Sequence, residues 1–242
     1  MLPAYFSVIL FGVDPMSYIY RYSNVSRQFE LAQELATSGA FGWEAFTHSG
    51  VVHLALANYF NGNSYNVMSQ IYRHSTVSGQ LFELVQEVQT SGAIDWEAFP
   101  LTGVTYLAVA NSFNGSTHLI DSHIYRYSTA SGLFEVVQEV ATTGAYGWKA
   151  FAHNGVAHLA VANYYNDETR QIDSRIYRHA TESGRFEVTQ GVATLGAVDW
   201  EALSLNGVTY LAVANHNSDF GYNLLSRIYA FDVSCLQSKD WQ

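Results

Sequence analysis

The chain repeats itself about every 52 residues, and that period confines it to architectures built from stacked copies of one unit. The string Ser-x-Ile-Tyr occurs five times, ending at Tyr20, Tyr72, Tyr125, Tyr177 and Tyr229. Gly-Ala-x-x-Trp occurs four times, ending at Trp43, Trp96, Trp148 and Trp200. A unit this small buries its apolar faces only against its neighbours. Function is then to be sought in what the units share, or in the loops where they differ.

The residues of one repeat read as strands. Residues 134–140 (FEVVQEV) form a short β-prone run, residues 142–145 (TTGA) a turn, and residues 148–152 (WKAFA) a second run. Asn154-Gly155 is a two-residue hairpin turn, because both residues tolerate positive φ. Residues 156–162 (VAHLAVA) are nearly all apolar, as expected of a strand covered on both faces. Residues 175–179 (RIYRH) close the repeat as a fourth strand. Helical periodicity is absent. Four antiparallel strands per repeat predict an all-β chain, a β-propeller of four-stranded blades. The count is eighteen runs over the 242 residues: four full sets and a leading pair, or about five blades in one domain. The tail, with Leu236 and Trp241 as anchors, is long enough to add one closing strand.

A finer period lies inside the first. Phe41-Gly42-Trp43 matches Tyr146-Gly147-Trp148, and Ile94-Asp95-Trp96 matches Val198-Asp199-Trp200. His48 and His53 match His153 and His158, while the alternate repeats carry Leu101 with Tyr106 and Leu205 with Tyr210. The larger unit is therefore a pair of about 105 residues, which predicts two alternating kinds of blade interface.

The combination FE-x-x-Q, then G-A-x-x-W-E-x-F, then G-V-x-Y-L-A-V-A-N and S-x-I-Y-R resembles the EAR, or epitempin (EPTP), repeat. That family is known from the leucine-rich glioma-inactivated proteins and from the thrombospondin-type laminin G domain and EAR repeat protein. The resemblance spans nearly the whole chain. It implies a propeller that binds other proteins outside the cell, without catalysis. Relatives look like rings of seven blades, and this chain is too short for seven at its period.

Bulk composition narrows the function further. The formal net charge of -10 argues against nucleic acid, which needs clustered Lys and Arg. No apolar run is long enough for a membrane-spanning helix. Residues 4–13 lack a basic lead and a cleavage site, and Phe6, Val8 and Leu10 alternate as in a strand. Cys235 is the single cysteine, so no internal disulfide forms, and it reads as an incidental thiol. Catalytic signatures such as Gly-x-Ser-x-Gly, a P-loop or His-Glu-x-x-His do not occur.

Candidate sites follow from the strand reading. Loops at 59–68, 112–121, 164–173 and 216–225 differ while their flanks do not, and they emerge on one face. They are rich in Tyr, Asn and Ser, which suit adaptable recognition. Tyr59, Phe60, Tyr65, Phe113, Tyr164, Tyr165, His216 and Tyr222 are the expected binding residues. The partner expected is a cell-surface receptor or matrix protein. The alternative is a lectin-like propeller whose repeated Trp and Tyr stack on sugars.

Asp95 and Asp199 precede the repeated Trp. In a ring they would face the channel, accepting backbone N–H groups or holding a cation such as a structural calcium. The resemblance implies such an ion. The His pairs read as packing, with metal ligation the lesser alternative. Glu44, Glu97 and Glu201 are expected to pair with Arg73, Arg126 or Arg178. Gln33, Gln86, Gln138 and Gln190 are expected to satisfy backbone groups between blades. Asn24 and Asn114 begin glycosylation sequons, in keeping with an extracellular setting.

Overall fold

A computed structural model of the chain describes residues 5–8 by their main chain, and residues 16–75, 80–222 and 224–231. Leu10, Cys235, Leu236, Trp241 and the expected closing strand lie outside the described residues. Among the described residues there are eighteen strands, in five antiparallel sheets, and no helix.

The first sheet comprises β1 (Tyr5–Val8), β2 (Met16–Ser23) and β3 (Gln28–Ala36). The second comprises β4 (Ala40–His48), β5 (Val51–Asn58), β6 (Asn66–His74) and β7 (Phe82–Ser91). The third comprises β8 (Ala93–Leu101), β9 (Val104–Asn111), β10 (Leu119–Ser128) and β11 (Leu133–Thr143). The fourth comprises β12 (Ala145–His153), β13 (Val156–Asn163), β14 (Gln171–Ala180) and β15 (Arg185–Leu195). The fifth comprises β16 (Ala197–Leu205), β17 (Val208–Asn215) and β18 (Arg227–Phe231).

The Gly-Ala-x-x-Trp strands β4, β8, β12 and β16 pack side by side and surround a common cavity. They are the inner strands of propeller blades. The two-residue turns after them form as expected, with Asn154 at φ 49° and Gly155 at 75°. Ser49-Gly50, Thr102-Gly103 and Asn206-Gly207 adopt the same left-handed pair.

The sequence repeat and the blade are out of phase by one strand. The FE strand was expected to open its own blade. Instead β11, which carries Phe134, pairs with β10 as the outer strand of the preceding sheet. The chain then passes through Gly144 alone to the next inner strand. Each repeat thus ties two blades together covalently. The sheets accordingly hold three, four, four, four and three strands among the described residues, not four full sets and a leading pair.

The core is a row of layers between successive sheets. In one layer Ile71 of β6 meets Trp96, Val109 and Tyr125 of the third sheet. In the next, Ile124 meets Trp148, Val161 and Tyr177. Ile176 with Trp200 and Val213 repeats the arrangement. Such layering is what a repeat that cannot bury its own faces requires.

Contacts between successive sheets differ from one interface to the next. His48 Nδ1 meets Thr105 Oγ1 at 3.0 Å between the second and third sheets. His153 Nδ1 meets Thr209 Oγ1 at 3.2 Å between the fourth and fifth. Between the third and fourth sheets, Leu101 and Tyr106 pack into the layer instead. The His48 and His53 rings lie 5.9 Å apart and nearly perpendicular. His48 also contacts Ser49 through Nε2, and His53 Nδ1 faces the carbonyl of Val51. These contacts make the pair a packing and register element.

Candidate functional site

The loops between second and third strands converge at one end of the sheets, around the mouth of the axial cavity. Their shape is set locally. Asn61, Asn114 and Asn166 each accept two backbone N–H groups of their own loop, closing a tight turn. Asn58, Asn111, Asn163 and Asn215 donate to the carbonyls of Met68, Asp121, Asp173 and Leu225, pinning the loop's far end.

The repeated Gly of Gly-Ala-x-x-Trp locks neighbouring loops together. Gly92 donates its N–H to the carbonyl of Tyr65 and accepts from the N–H of Ser112. Its φ is 51°, and a Cβ there would lie 2.5 Å from the carbonyl oxygen of Phe113. Only glycine fits this crossing.

Side chains tie the loops a second time. Asp167 accepts from Thr117 Oγ1 and from the N–H of His118, and its carboxylate also meets His118 Nδ1. Asp219 does the same for Thr169 and the N–H of Arg170, with the Arg170 guanidinium 3.7 Å away. The bond from Thr117 holds the Asp167 carboxyl below its usual range, and that from Thr169 does so for Asp219.

The expected loop aromatics come together as a connected set. Tyr65 packs against Tyr59, Phe60 and Phe113 at 4.5–5.1 Å. His118 joins Phe113 to Tyr165. The Arg170 guanidinium lies over the rings of Tyr165 at 4.8 Å and Tyr164 at 5.3 Å. His216 approaches Tyr164 and Tyr222, and Tyr222 is 73% exposed, so the set opens to solvent there.

Inward of the loops, Phe41 and Tyr146 face each other across the axis, 6.2 Å apart. With Ile94, Val198, His216 and the two Asp they line a cavity of about 620 Å³. Phe41, Tyr146, His118, Arg170, Asp167 and Asp219 were not picked out from the sequence. Phe41 and Tyr146 hide beside a repeated Trp, where an aromatic reads as core. The equivalence of Tyr65, His118 and Arg170 was the signal available for the others.

Asp95 and Asp199 do face this cavity. Oxygens of both carboxylates approach the space that a Cβ on Gly147 would take, at 3.5 and 3.7 Å, beside the carbonyl of Val198. Asp95 Oδ2 accepts the N–H of Trp148 at 3.3 Å. Burial pushes the Asp95 carboxyl up to about 7, against the pull of that bond, and raises Asp199 as well. Two carboxylates and a carbonyl are hard oxygen donors, but three fall short of the roughly six to eight oxygens that a calcium ion takes, so the described residues do not fit the expected calcium. Among the described residues no group of three or more His, Cys, Asp or Glu side chains is placed to bind a metal.

The expected Glu–Arg pairs do not form. Glu44 accepts the N–H of Ala98, and Glu97 that of Ala150, from the next inner strand. Glu201 pairs with Lys149 at 3.0 Å. The acids sit on inner strands, while the arginines sit on third strands farther out, where Arg73 meets Glu83 of β7. Asn24 lies exposed in the turn between β2 and β3, whereas Asn114 is half-buried and its side-chain oxygen is engaged in its own loop.

The EPTP domain model matches residues 28–75, 81–128, 133–180 and 185–232. Each match runs from an outer strand through the next three, the same phase offset seen in the sheets. Thrombospondin-type laminin G domain and EAR repeat-containing protein of Mus musculus is 38% identical over 161 residues, covering 66% of this chain and 24% of that protein. Its Homo sapiens counterpart is 36% identical, covering 81% of this chain and 38% of that protein. The chain therefore spans well under half of these relatives. Among solved structures, a Bacteroides fragilis protein described as a 6-phosphogluconolactonase aligns with a TM-score of 0.60 at 13% identity, over 93% of this chain and 63% of its own. A Bombyx mori β-fructofuranosidase aligns at 0.51 and 12% identity, over 83% of this chain and 48% of its own. At such identities these two share the propeller fold and nothing more. The four matched repeats show that the chain belongs to the EPTP-domain family.

Proposed function

We propose that the chain is a non-catalytic protein-interaction module, extracellular or at the cell surface. It takes a receptor or matrix protein on the loop face around the cavity mouth. The observation that carries this reading is the double tie between loops. Backbone bonds through the repeated Gly and side-chain bonds through Asp167 and Asp219 hold aromatic and polar groups from several blades as one surface. A surface organised in advance loses less entropy on binding. Family membership points the same way.

The lectin alternative is weakened at one point. Trp96, Trp148 and Trp200 are at most 2% exposed, so they cannot stack on sugars, which leaves that role to partly exposed rings such as Trp43 and the loop aromatics. Two experiments separate the readings. Immobilised protein is expected to capture a membrane or matrix protein, and Tyr65→Ala with Tyr165→Ala is expected to abolish capture. Saturable binding to a glycan array, lost in the same variant, would replace this reading with the lectin one.

A further inference from the structure

The axial cavity offers too few oxygens for calcium, yet it gathers three of them around one point. That point is where a Cβ on Gly147 of β12 would stand. The carbonyl oxygen of Val198 lies 3.3 Å from it, Asp95 Oδ2 3.5 Å and Asp199 Oδ1 3.7 Å. Asp95 comes from β8, and Val198 and Asp199 come from β16. Gly147 is not among the residues at positive φ, so the backbone does not call for glycine there. Its missing side chain instead leaves the three oxygens open to the cavity.

The charge in this place lacks a full counterpart. Lys149 is the only Lys or Arg on the four inner strands, and its ammonium is held by Glu201 at 3.0 Å. Burial, opposed by the N–H of Trp148, raises the Asp95 carboxyl, and the nearby Glu97 and Glu44 add to the rise. The remaining wall is largely apolar, with Phe41, Ile94 and Tyr146 lining the same cavity of about 620 Å³. Phe41 packs on Tyr59 at 5.6 Å and Tyr146 on Tyr164 at 4.5 Å, so the aromatic wall runs on into the loop face.

We infer that the axial cavity binds a primary ammonium group on an alkyl stem, held by Asp95, Asp199 and the carbonyl of Val198. An alkylammonium is a compact cation with three N–H donors and no acceptor, which matches three converging oxygens. A calcium ion would be left short of ligands. A quaternary ammonium has no N–H to give, and a guanidinium spreads five donors over a flat fork. The stem packs on Phe41 and Tyr146, whose ring faces also favour a cation within about 6 Å. The group has two sources, the side chain of a protein's lysine or a free amine. The site does not depend on the loop face taking a protein, because a free amine tests it with no partner present.

The test follows the amide shifts of the isotope-labelled full chain during titration. n-Butylammonium is expected to shift Gly147, Trp148 and Val198 saturably, whereas n-butanol, the same stem without the charge, is not. Asp95→Asn should weaken amine binding at least about tenfold, as loss of a hydrogen bond to a charged group does. Gly147→Ala keeps both carboxylates but puts a methyl among the three oxygens. It should abolish binding while the spectrum stays that of a folded chain. Tighter binding of Nα-acetyl-lysine amide than of butylammonium would assign the site to a lysine side chain. The reverse order would assign it to a free amine, and either order supports an ammonium site. No saturable shift with either amine, equal binding of n-butanol, or equal amine binding by Asp95→Asn would overturn the proposal. Saturable shifts of the same amides by calcium chloride, lost in Asp95→Asn, would return the site to a metal and overturn it too.

Discussion

Gln86 donates to the carbonyl of Phe134 and accepts its N–H, and Gln138 does the same at Phe186. Gln86→Ala would leave the main chain of Phe134 without its inter-blade partners, at a cost of about 1–3 kcal/mol. A clear fall in melting temperature is expected for that variant. Thr102 is a β-branched residue held at φ 50° in its hairpin turn, where equivalent turns carry Ser49, Asn154 and Asn206. Thr102→Asn should raise stability by about 1 kcal/mol in denaturant unfolding, because asparagine tolerates the left-handed region. Burial raises the Asp95 and Glu97 carboxyls to about 7, above their unfolded values. The native state therefore holds more protons than the unfolded chain between roughly pH 4 and 7, and stability falls as pH rises through that window. Calorimetry from pH 5 to pH 8 should show the melting temperature falling, and Asp95→Asn should shrink the fall. Residue roles such as these were partly legible in the sequence. The repeated glutamines announced a shared structural duty, whereas Phe41 and Tyr146 could not be told from core, and Asp167 and Asp219 occur in only some loops.

Strands were readable because turn signals and alternation recur in every copy. Their grouping was not. A periodic string has no intrinsic first strand, so any phase of the repeat writes the same sequence. The contacts that fix the phase, such as Gln138 to Phe186, connect residues that are 48 apart. The phase has a measurable consequence. A chain ending at residue 195 keeps β15 and the grip of Gln138 on Phe186. One ending at residue 180, a boundary of the sequence repeat, loses both. The shorter chain should melt at a lower temperature and bind more of a dye that reports exposed apolar surface. Equal melting would mean that the outer strand adds nothing to the blade it joins.

At the level of the whole molecule, layered interfaces provide stability and leave the strand ends free to carry function. The two-residue turns lie at one end of the sheets, and the doubly tied loops lie at the other. The sequence made the loops candidates through their variability and their tyrosines, but it did not show that Gly92 and its equivalents weld them into one surface. The most direct measurement is hydrogen–deuterium exchange of the full chain, alone and with its captured protein partner. The account predicts slowed exchange at residues 59–65, 112–118, 164–170 and 216–222, with the turns at 49–50, 102–103, 154–155 and 206–207 unchanged. Protection confined to those turns or to the outer strands, with the loops unaffected, would contradict it.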